Sequence, residues 1–274
     1  MKESIFENNV VIITGSSAGI GKELSLQLAD QGAILVLAAR DLNKLEEVAK
    51  ECITRGCKAI PVKTDVSDKM QCKDLIDIAI KKFGRIDTLI NNAGISMFTR
   101  FDEIKDMDLI EKIMKINYLG SVYCTYYALP YLKKSKGRII GVASLTGKTG
   151  VPTRTAYSAS KHAMAGFFDS LRIELSGTEL SGTGVSVTMI YPGFVSTEIR
   201  EHALGGDGKS LSISHVKESK VMSVETCAKL IINAAAKRKR ELVMTLRGKI
   251  GLWMKLIAPK LVDDISRKSI KKGY

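Results

Sequence analysis

Three side chains with complementary acid–base properties lie in the second half of the sequence. Tyr157 and Lys161 are four residues apart, and Ser144 precedes them. On a helix this spacing places two side chains one turn apart on the same face, so the ammonium group can lie beside the phenol. A free phenol has a pKa of about 10, and a neighbouring cation lowers that value. The spacing therefore predicts that Tyr157 exchanges a proton with a carbonyl/alcohol pair, although such a pair is also common as a plain surface contact.

A glycine-rich turn near the N-terminus indicates a nucleotide site. Gly15, Gly19 and Gly21 lie between a predicted strand and a predicted helix. Glycines let the backbone approach a pyrophosphate, and the helix N-terminus offers N–H donors with a partial positive charge. The GxxxGxG spacing differs from the usual GxGxxG of dinucleotide-binding turns. The alternative is that these glycines only pack the helix against the strand.

Arg40, at the end of the second predicted strand, bears on which dinucleotide binds. An acidic residue at this place would hydrogen-bond an unphosphorylated ribose, whereas a guanidinium suits a 2′-phosphate. Asp41 could approach the ribose and favour NAD, or it could cap the helix predicted from Leu42. We expect NADP in preference to NAD.

Two further polar segments follow predicted strands. Asp65 is placed either for an adenine ring or as a turn residue or helix cap. Asn91, Asn92, Ala93 and Gly94 follow the fourth strand, where small residues permit close approach to a cofactor or simply form a turn.

Taken in order, these segments resemble the short-chain dehydrogenase/reductase family over about residues 8–245. The resemblance is carried by five motifs: residues 14–21, Asp65 with Val66, residues 91–94, Ser144 with residues 157–161, and Pro192 with Gly193 leading to Thr197. It implies that Tyr157 is the acid/base, that Lys161 binds the nicotinamide ribose and tunes the phenol, and that Ser144 hydrogen-bonds the substrate oxygen. Asn117 matches the asparagine that holds a water in the family's proton relay.

The resemblance also implies a set of cofactor-binding residues: Gly15, Ser17, Gly19, Ile20, Arg40, Asp65, Val66, Asn92, Ala93, Gly94, Tyr157, Lys161, Pro192, Gly193, Val195 and Thr197. Residues 144–172 are similar to the subgroup that contains hydroxysteroid dehydrogenases and 3-ketosphinganine reductases. A homodimer or homotetramer is implied as well, through the predicted helices at 104–133 and 156–176.

Short apolar runs alternate with amphipathic segments along most of the chain. This pattern predicts a single-domain α/β fold of Rossmann type, a doubly wound parallel sheet with helices on both faces. Strands are predicted at residues 9–14, 33–39, 58–63, 86–91, 138–143 and 185–190, and helices at 19–31, 42–55, 69–83, 104–133, 156–176 and 224–236. The domain is expected to span residues 1–245, with a C-terminal extension at 246–274.

Between residues 194 and 220 the strand and helix periods disappear. A loop of this length is functional or disordered, and by the resemblance it closes over the substrate. Its apolar residues favour a lipophilic ketone or alcohol, but ordinary packing of a long loop would also require them: Phe194, Ile199, Leu204, Leu211 and Ile213.

Composition narrows the class of protein and its compartment. The 274 residues suit one α/β domain. Five scattered cysteines without a CxxC pair argue against a disulfide framework or a zinc site, and favour a reducing, cytoplasmic location. His162, His202 and His215 show no metal-ligand spacing, so we expect no metal and treat them as surface or loop residues. The first residues lack a signal-peptide pattern, and no apolar run approaches the ~18 residues of a membrane span.

The formal net charge of +13 is concentrated late in the chain. Such a run is commonly a solvated face. The alternative is a basic amphipathic helix on an anionic membrane or a partner subunit, because apolar residues recur there at helical spacing: Leu246, Ile250, Trp253, Met254, Ile257 and Leu261. Since no recognition motif accompanies the charge, we do not expect nucleic-acid binding.

Two functions of different classes remain. One is an NADP(H)-dependent oxidoreductase acting on a carbonyl or secondary alcohol. The other is a catalytically silent protein that binds NADP(H) and signals or scaffolds. The complete set of Ser144, Tyr157, Lys161 and Asn117 favours the enzyme.

Overall fold

One parallel sheet forms the centre of the computed structural model, which describes residues 4–176, 182–197, 202–211 and 221–271. Within these residues the sheet has seven strands in the order β3-β2-β1-β4-β5-β6-β7. The strands are β1 (Val10–Thr14), β2 (Ile34–Ala39), β3 (Ala59–Lys63), β4 (Thr88–Asn91), β5 (Arg138–Val142), β6 (Ser186–Tyr191) and β7 (Glu241–Val243). The predicted fold class is confirmed.

The strand order reverses at β1, which pairs with β2 on one side and with β4 on the other. In a doubly wound sheet a crevice opens at this point, beyond the carboxyl ends of the strands. The residues that follow β1, β2, β3 and β4 therefore meet along one edge.

The central strands form because their residues are apolar on both faces. All five residues of β1 are buried, as expected for a parallel sheet covered on both sides. Pro61 lies in β3, an edge strand, where a missing backbone donor is tolerated. β7 was not predicted, because its three residues directly follow the basic run at 237–240 and form no apolar stretch.

Helices cover both faces of the sheet. The described helices are α1 (Gly19–Ala29), α2 (Leu42–Thr54), α3 (Lys69–Phe83), α4 (Asp108–Met114), α5 (Gly120–Ser135), α6 (Thr155–Ser176), α7 (Val224–Ala236), α8 (Leu246–Ile257) and α9 (Pro259–Lys271). α1, α2 and α7 enclose one hydrophobic cluster, and α3, α5 and α6 enclose a second one on the opposite face.

The predicted helix at 104–133 differs from the structure in its start and in its regularity. α4 begins at Asp108, because residues 101–103 form a separate 3₁₀ turn. Between α4 and α5 the chain is π-helical from Lys115 to Leu119. π-helical turns inside α-helices are frequent at functional sites, and this one contains Asn117.

The C-terminal extension forms α8 and α9. α8 lies against the turn after Ser144, since a Cβ atom on Gly248 would be 2.8 Å from Leu145 Cδ2. Its opposite side is exposed and carries large apolar side chains: Leu246, Ile250, Trp253, Leu256 and Ile257. Among the described helices, none is long and apolar enough to cross a membrane.

The predicted substrate loop is described at residues 194–197 and 202–211, so Ile199, Ile213 and His215 lie outside the described residues. Leu204 forms a parallel bridge with Met97. Phe98 N also donates to Leu204 O at 2.9 Å. The loop is thus joined to the segment that follows β4.

Candidate active site

The turn between β1 and α1 has a backbone that requires glycine. Gly15 has a φ of +67°, and a Cβ atom there would lie 2.8 Å from the Cα of Ala93. A Cβ atom on Gly21 would clash with the carbonyl oxygen of Gly15. The glycines therefore allow the turn to pack closely, and because they have no side chains they also let a ligand approach the backbone of the turn.

The segment after β4 is hydrogen-bonded to this turn. Thr14 Oγ1 accepts from the backbone N–H groups of Asn92 and Ala93 at 3.0 and 3.1 Å. Asn92 Nδ2 donates to Thr14 O at 2.9 Å. Asn92 is therefore more than a turn residue, because it fixes two sides of the crevice relative to each other.

The N-terminus of α1 leaves backbone donors free for an anion. Its N-cap residue is Ala18, which has no side-chain cap, and the first turn contains no acidic residue. The unpaired N–H groups of a helix N-terminus attract phosphate. This chemistry fits a dinucleotide pyrophosphate.

A crevice of about 340 Å³ lies along the carboxyl ends of the strands. Eleven of the predicted cofactor residues line it: Gly15, Ser17, Gly19, Ile20, Arg40, Asp65, Val66, Asn92, Ala93, Gly94 and Thr197. Five further residues line the crevice that were not predicted to bind the cofactor: Ala18, Ala39, Thr64, Ile95 and Ile116. His202, predicted only as a surface or loop residue, also lines it. Several of the missed residues are sequence neighbours of motif residues, which is the signal that could have found them.

Arg40 and Asp41 have different environments at the end of β2. Arg40 is exposed and borders both the crevice and a neighbouring hollow of about 520 Å³. Asp41 Oδ1 accepts from Lys44 N at 3.2 Å, which caps α2. Asp41 therefore caps α2, and it also lines the crevice beside Arg40.

Asp65 lines the crevice and also shapes the turn after β3. Its Oδ1 accepts from the backbone N–H and the hydroxyl of Ser67 at 2.9 and 2.7 Å. The cap of α3 is a different residue, Asp68.

The acid–base side chains meet where α6 passes the end of β5. Lys161 Nζ lies 5.9 Å from the ring centroid of Tyr157 and donates to Val142 O at 2.9 Å. Ser144 lies beside the phenol and lowers the pKa of Tyr157. Tyr157 is 9% exposed and Lys161 is 3% exposed. The structure thus brings Ser144, Tyr157 and Lys161 together.

The pKa values of Tyr157 and Lys161 depend on burial and on the neighbouring polar groups. Burial raises the pKa of Tyr157, while the charge of Arg154 and the hydrogen bond from Ser144 lower it. Burial also lowers the pKa of Lys161 to about 8. Arg154 is therefore a second cation near Tyr157, in addition to Lys161.

Asn117 lies in the π-helical turn, and its buried side chain is hydrogen-bonded through both its amide oxygen and its amide nitrogen. Its Oδ1 accepts from Ile95 N at 2.8 Å, and its Nδ2 donates to Ile95 O and Ser160 Oγ at 2.9 and 3.0 Å. A Cβ atom on Gly94 would lie 3.2 Å from Asn117 Oδ1 and 3.4 Å from Lys161 Nζ. Asn117 and Lys161 therefore converge at the end of the crevice.

The residues after β6 that were predicted to bind the cofactor differ in where they lie relative to the crevice. Thr197 lines the crevice beside Gly19. Pro192 O accepts from Leu145 N at 2.9 Å, and Gly193 packs near Thr245. The Val195 side chain belongs to the cluster enclosed by α1, α2 and α7 and is not among the residues that line the crevice. Of the histidines, His162 is exposed on α6, and His202 is exposed at the crevice.

Comparison with known proteins defines the family. The sequence profile of the short chain dehydrogenases matches residues 9–205. The chain is 34% identical to 11-beta-hydroxysteroid dehydrogenase 1A of Arabidopsis thaliana, over 95% of this chain and 76% of that protein. It is 37% identical to 11-beta-hydroxysteroid dehydrogenase-like 4A of the same plant, over 92% of this chain and 82% of that protein. A solved short chain dehydrogenase/reductase from Burkholderia phymatum in complex with NAD has the same fold, with a TM-score of 0.81, 23% identity and coverage of 95% and 96%.

The fold and the crevice thus define a nucleotide-binding oxidoreductase with a Rossmann sheet. The chain belongs to the short chain dehydrogenase family, in its hydroxysteroid dehydrogenase-like subgroup.

Proposed function

We propose that this protein transfers a hydride between NADP(H) and the carbonyl or secondary alcohol of a lipophilic substrate, with Tyr157 as the acid/base. One observation carries the proposal: the buried Tyr157 lies beside Lys161, whose ammonium reaches Gly94 at the end of the glycine-lined crevice, and Ser144 acts on the phenol from the end of β5. A bound nicotinamide supplies the hydride, and the side chains supply the proton and the hydrogen bonds.

The side chains have distinct tasks in this proposal. Reduction leaves negative charge on the carbonyl oxygen, and donors aimed at that oxygen stabilise it. Ser144 and Tyr157 are those donors, and Tyr157 gives its proton. Lys161 binds the ribose and returns a proton to the phenol, for which a pKa of about 8 is well suited. Asn117 holds the backbone around Ile95 in position and supports the proton path.

NADP is the proposed cofactor because the exposed guanidinium of Arg40 borders the crevice, where it suits a 2′-phosphate; Asp41, which also lines the crevice, has one carboxylate oxygen engaged in the cap of α2. Arg40→Ala is expected to weaken NADPH binding by roughly tenfold or more, since it removes a bidentate phosphate donor. NADH binding should change little. Lys63→Ala, an exposed cation at the end of the neighbouring strand β3, is the matched control. Equal losses for both nucleotides in Arg40→Ala would contradict the assignment to NADP.

A lipophilic substrate is proposed because the surroundings of Tyr157 are apolar. Tyr157 belongs to a cluster with Met97, Leu109 and Ile113, and the substrate-loop residue Leu204 packs against it. Relatives that are named hydroxysteroid dehydrogenases act, by their names, on substrates of this character.

The direct test is NADPH consumption by the purified protein with ketones of graded hydrophobicity. We expect turnover that increases from small polar ketones to steroid-sized ones. Tight NADPH binding without turnover of any ketone would favour the alternative, a catalytically silent NADP(H)-responsive binding or scaffold protein.

The second part of the proposal is peripheral contact with an anionic membrane through α8. Its exposed apolar side chains are accompanied by cations, among them Lys249 and Lys255, and such a helix lies in a membrane interface. Trp253 is the single tryptophan of the sequence and is 70% exposed. Its fluorescence therefore reports directly on insertion.

We expect the Trp253 emission to shift to shorter wavelength with anionic vesicles and to stay unchanged with zwitterionic vesicles. Ile250→Glu should abolish the shift. Ile53→Glu, a comparably exposed apolar position on α2, should leave it intact. No shift with anionic vesicles would refute membrane contact.

A homodimer or homotetramer through α5 and α6, where Tyr126 and Ile173 are exposed, is proposed as well and is tested by sedimentation.

A further inference from the structure

Arg154, the residue immediately before α6, is the charged residue near Tyr157 that no motif indicates. It lies three residues before Tyr157, and its carbonyl accepts from Ser158 N in the first turn of the helix. Its guanidinium carbon is 6.0 Å from the Tyr157 ring centroid and 5.3 Å from the Phe98 ring centroid. A guanidinium at this range from an aromatic face is attracted to it.

The guanidinium is fixed by contacts on both sides. Arg154 Nη1 donates to Ser96 Oγ at 3.1 Å, and Ser96 is 2% exposed. The preceding residue, Thr153, has a φ of +65°, which is rare for a residue with a side chain. Thr99 N donates to Thr153 O at 3.0 Å and holds that turn in place. Arg154 is therefore attached to the segment after β4 by its side chain and by its backbone.

The same segment also holds the substrate loop. Leu204 N donates to Ser96 O, and Phe98 N donates to Leu204 O, both at 2.9 Å. The guanidinium thus lies where α6, the segment after β4 and the substrate loop meet. A side chain in this position influences the Tyr157 ring without belonging to the crevice lining.

We propose that Arg154 is a positioning residue for the acid/base: tied to Ser96, its guanidinium holds the Tyr157 ring and keeps a permanent positive charge beside it. The inference rests on the proposed function, because it assigns Arg154 a task in the same proton transfer.

The surroundings of Tyr157 explain why a second cation matters. Lys161 is the other cation near the ring, and burial lowers its pKa to about 8, so its charge disappears at mildly alkaline pH. A guanidinium stays protonated throughout this range. Ser144 contributes an uncharged hydrogen bond.

The other elements packed against Tyr157 contribute apolar groups. α4 supplies Leu109 and Ile113, and the substrate loop supplies Leu204. The charge of Arg154 lowers the pKa of Tyr157 against the effect of burial. Since a positive charge favours the phenolate, removing it should raise the pKa of Tyr157.

The test is the ionisation of Tyr157 in the free protein, followed by ¹⁹F NMR after incorporation of 3-fluorotyrosine. The Tyr157 resonance is identified by its loss in Tyr157→Phe. In Arg154→Met the resonance should titrate at higher pH than in the wild type, and in Arg154→Lys close to the wild type. Arg100→Met, an exposed arginine two residues beyond Phe98, is the control and should titrate as the wild type.

An unchanged titration in Arg154→Met, or equal titrations in Arg154→Met and Arg154→Lys, would overturn the inference. If Arg154→Met does not fold, Ser96→Ala decides, because it releases the guanidinium; an unchanged titration there also contradicts the proposal.

A second readout uses turnover in the direction of alcohol oxidation, where Tyr157 acts as the base. Arg154→Met should move the rising limb of the kcat profile to higher pH and lower kcat at neutral pH by roughly tenfold. Arg154→Lys should restore the profile, and KM for NADP should not change. If the wild type turns over no alcohol or ketone, the proposed function fails, while the NMR titration still decides the role of Arg154.

Discussion

The buried ammonium of Lys161 should reduce the stability of the protein in a pH-dependent way. Burial lowers its pKa from 10.5 to about 8, a displacement of roughly 2.5 pH units at about 1.4 kcal/mol each. Keeping the charge in the folded protein therefore costs about 3 kcal/mol below pH 8. Between pH 8 and 10.5 the unfolded chain binds more protons than the folded one, so stability from this group rises with pH.

Replacing Lys161 with methionine removes this dependence while keeping a side chain of similar length. Lys161→Met also loses the hydrogen bond to Val142 O, which costs about 1 kcal/mol at every pH. We therefore expect the variant to be more stable than the wild type by about 2 kcal/mol at pH 7. The advantage should disappear, and slightly reverse, near pH 10.5.

Urea unfolding of both proteins without cofactor, at intervals from pH 7 to 10.5, measures this difference. All other titrating groups are shared by the two proteins, so their contributions cancel in the comparison. Two stability curves that run parallel over this range would show that the Lys161 pKa is not lowered and would refute the reasoning.

Three further substitutions test the framework that positions the site. Gly21→Ala should abolish nucleotide binding and lower the thermal midpoint, because its Cβ clashes with Gly15 O; calorimetry showing native binding would contradict this. Asp68→Ala should lower the urea concentration at the midpoint of unfolding through loss of the α3 cap, whereas an unchanged midpoint would show the cap to be dispensable. Asp87→Ala should lower the free energy of unfolding by about 2 kcal/mol, because the buried carboxylate accepts from Val10 N at 2.9 Å. A decrease under about 0.5 kcal/mol would mean that water replaces the carboxylate as the acceptor.

The sequence predicted the parts of the fold that depend on local pattern. Strands such as β1 and β2 are continuous apolar runs, and α3 follows the amphipathic pattern predicted at residues 69–83, although its cap is Asp68 and not Asp65. The π-helical turn at Lys115–Leu119 could not be predicted, because apolar residues keep an ordinary helical spacing across it. β7 was missed because three residues carry too little periodicity.

The site was predicted where motif and chemistry coincide, as for Ser144 with Tyr157. Arg154 was missed because its role depends on Ser96, 58 residues earlier in the chain. The rise in the Tyr157 pKa could not be predicted from the sequence either. It follows from burial, and the spacing of residues along a helix does not show which of them are buried.

The central claim is that Tyr157 exchanges the proton while the nicotinamide exchanges the hydride. A single-turnover measurement of enzyme-bound NADPH with a lipophilic ketone compares the wild type with Tyr157→Phe most directly. The account predicts unchanged NADPH affinity in the variant and a rate of NADPH oxidation lower by at least about 100-fold. A variant that oxidises NADPH within a few-fold of the wild-type rate would contradict it.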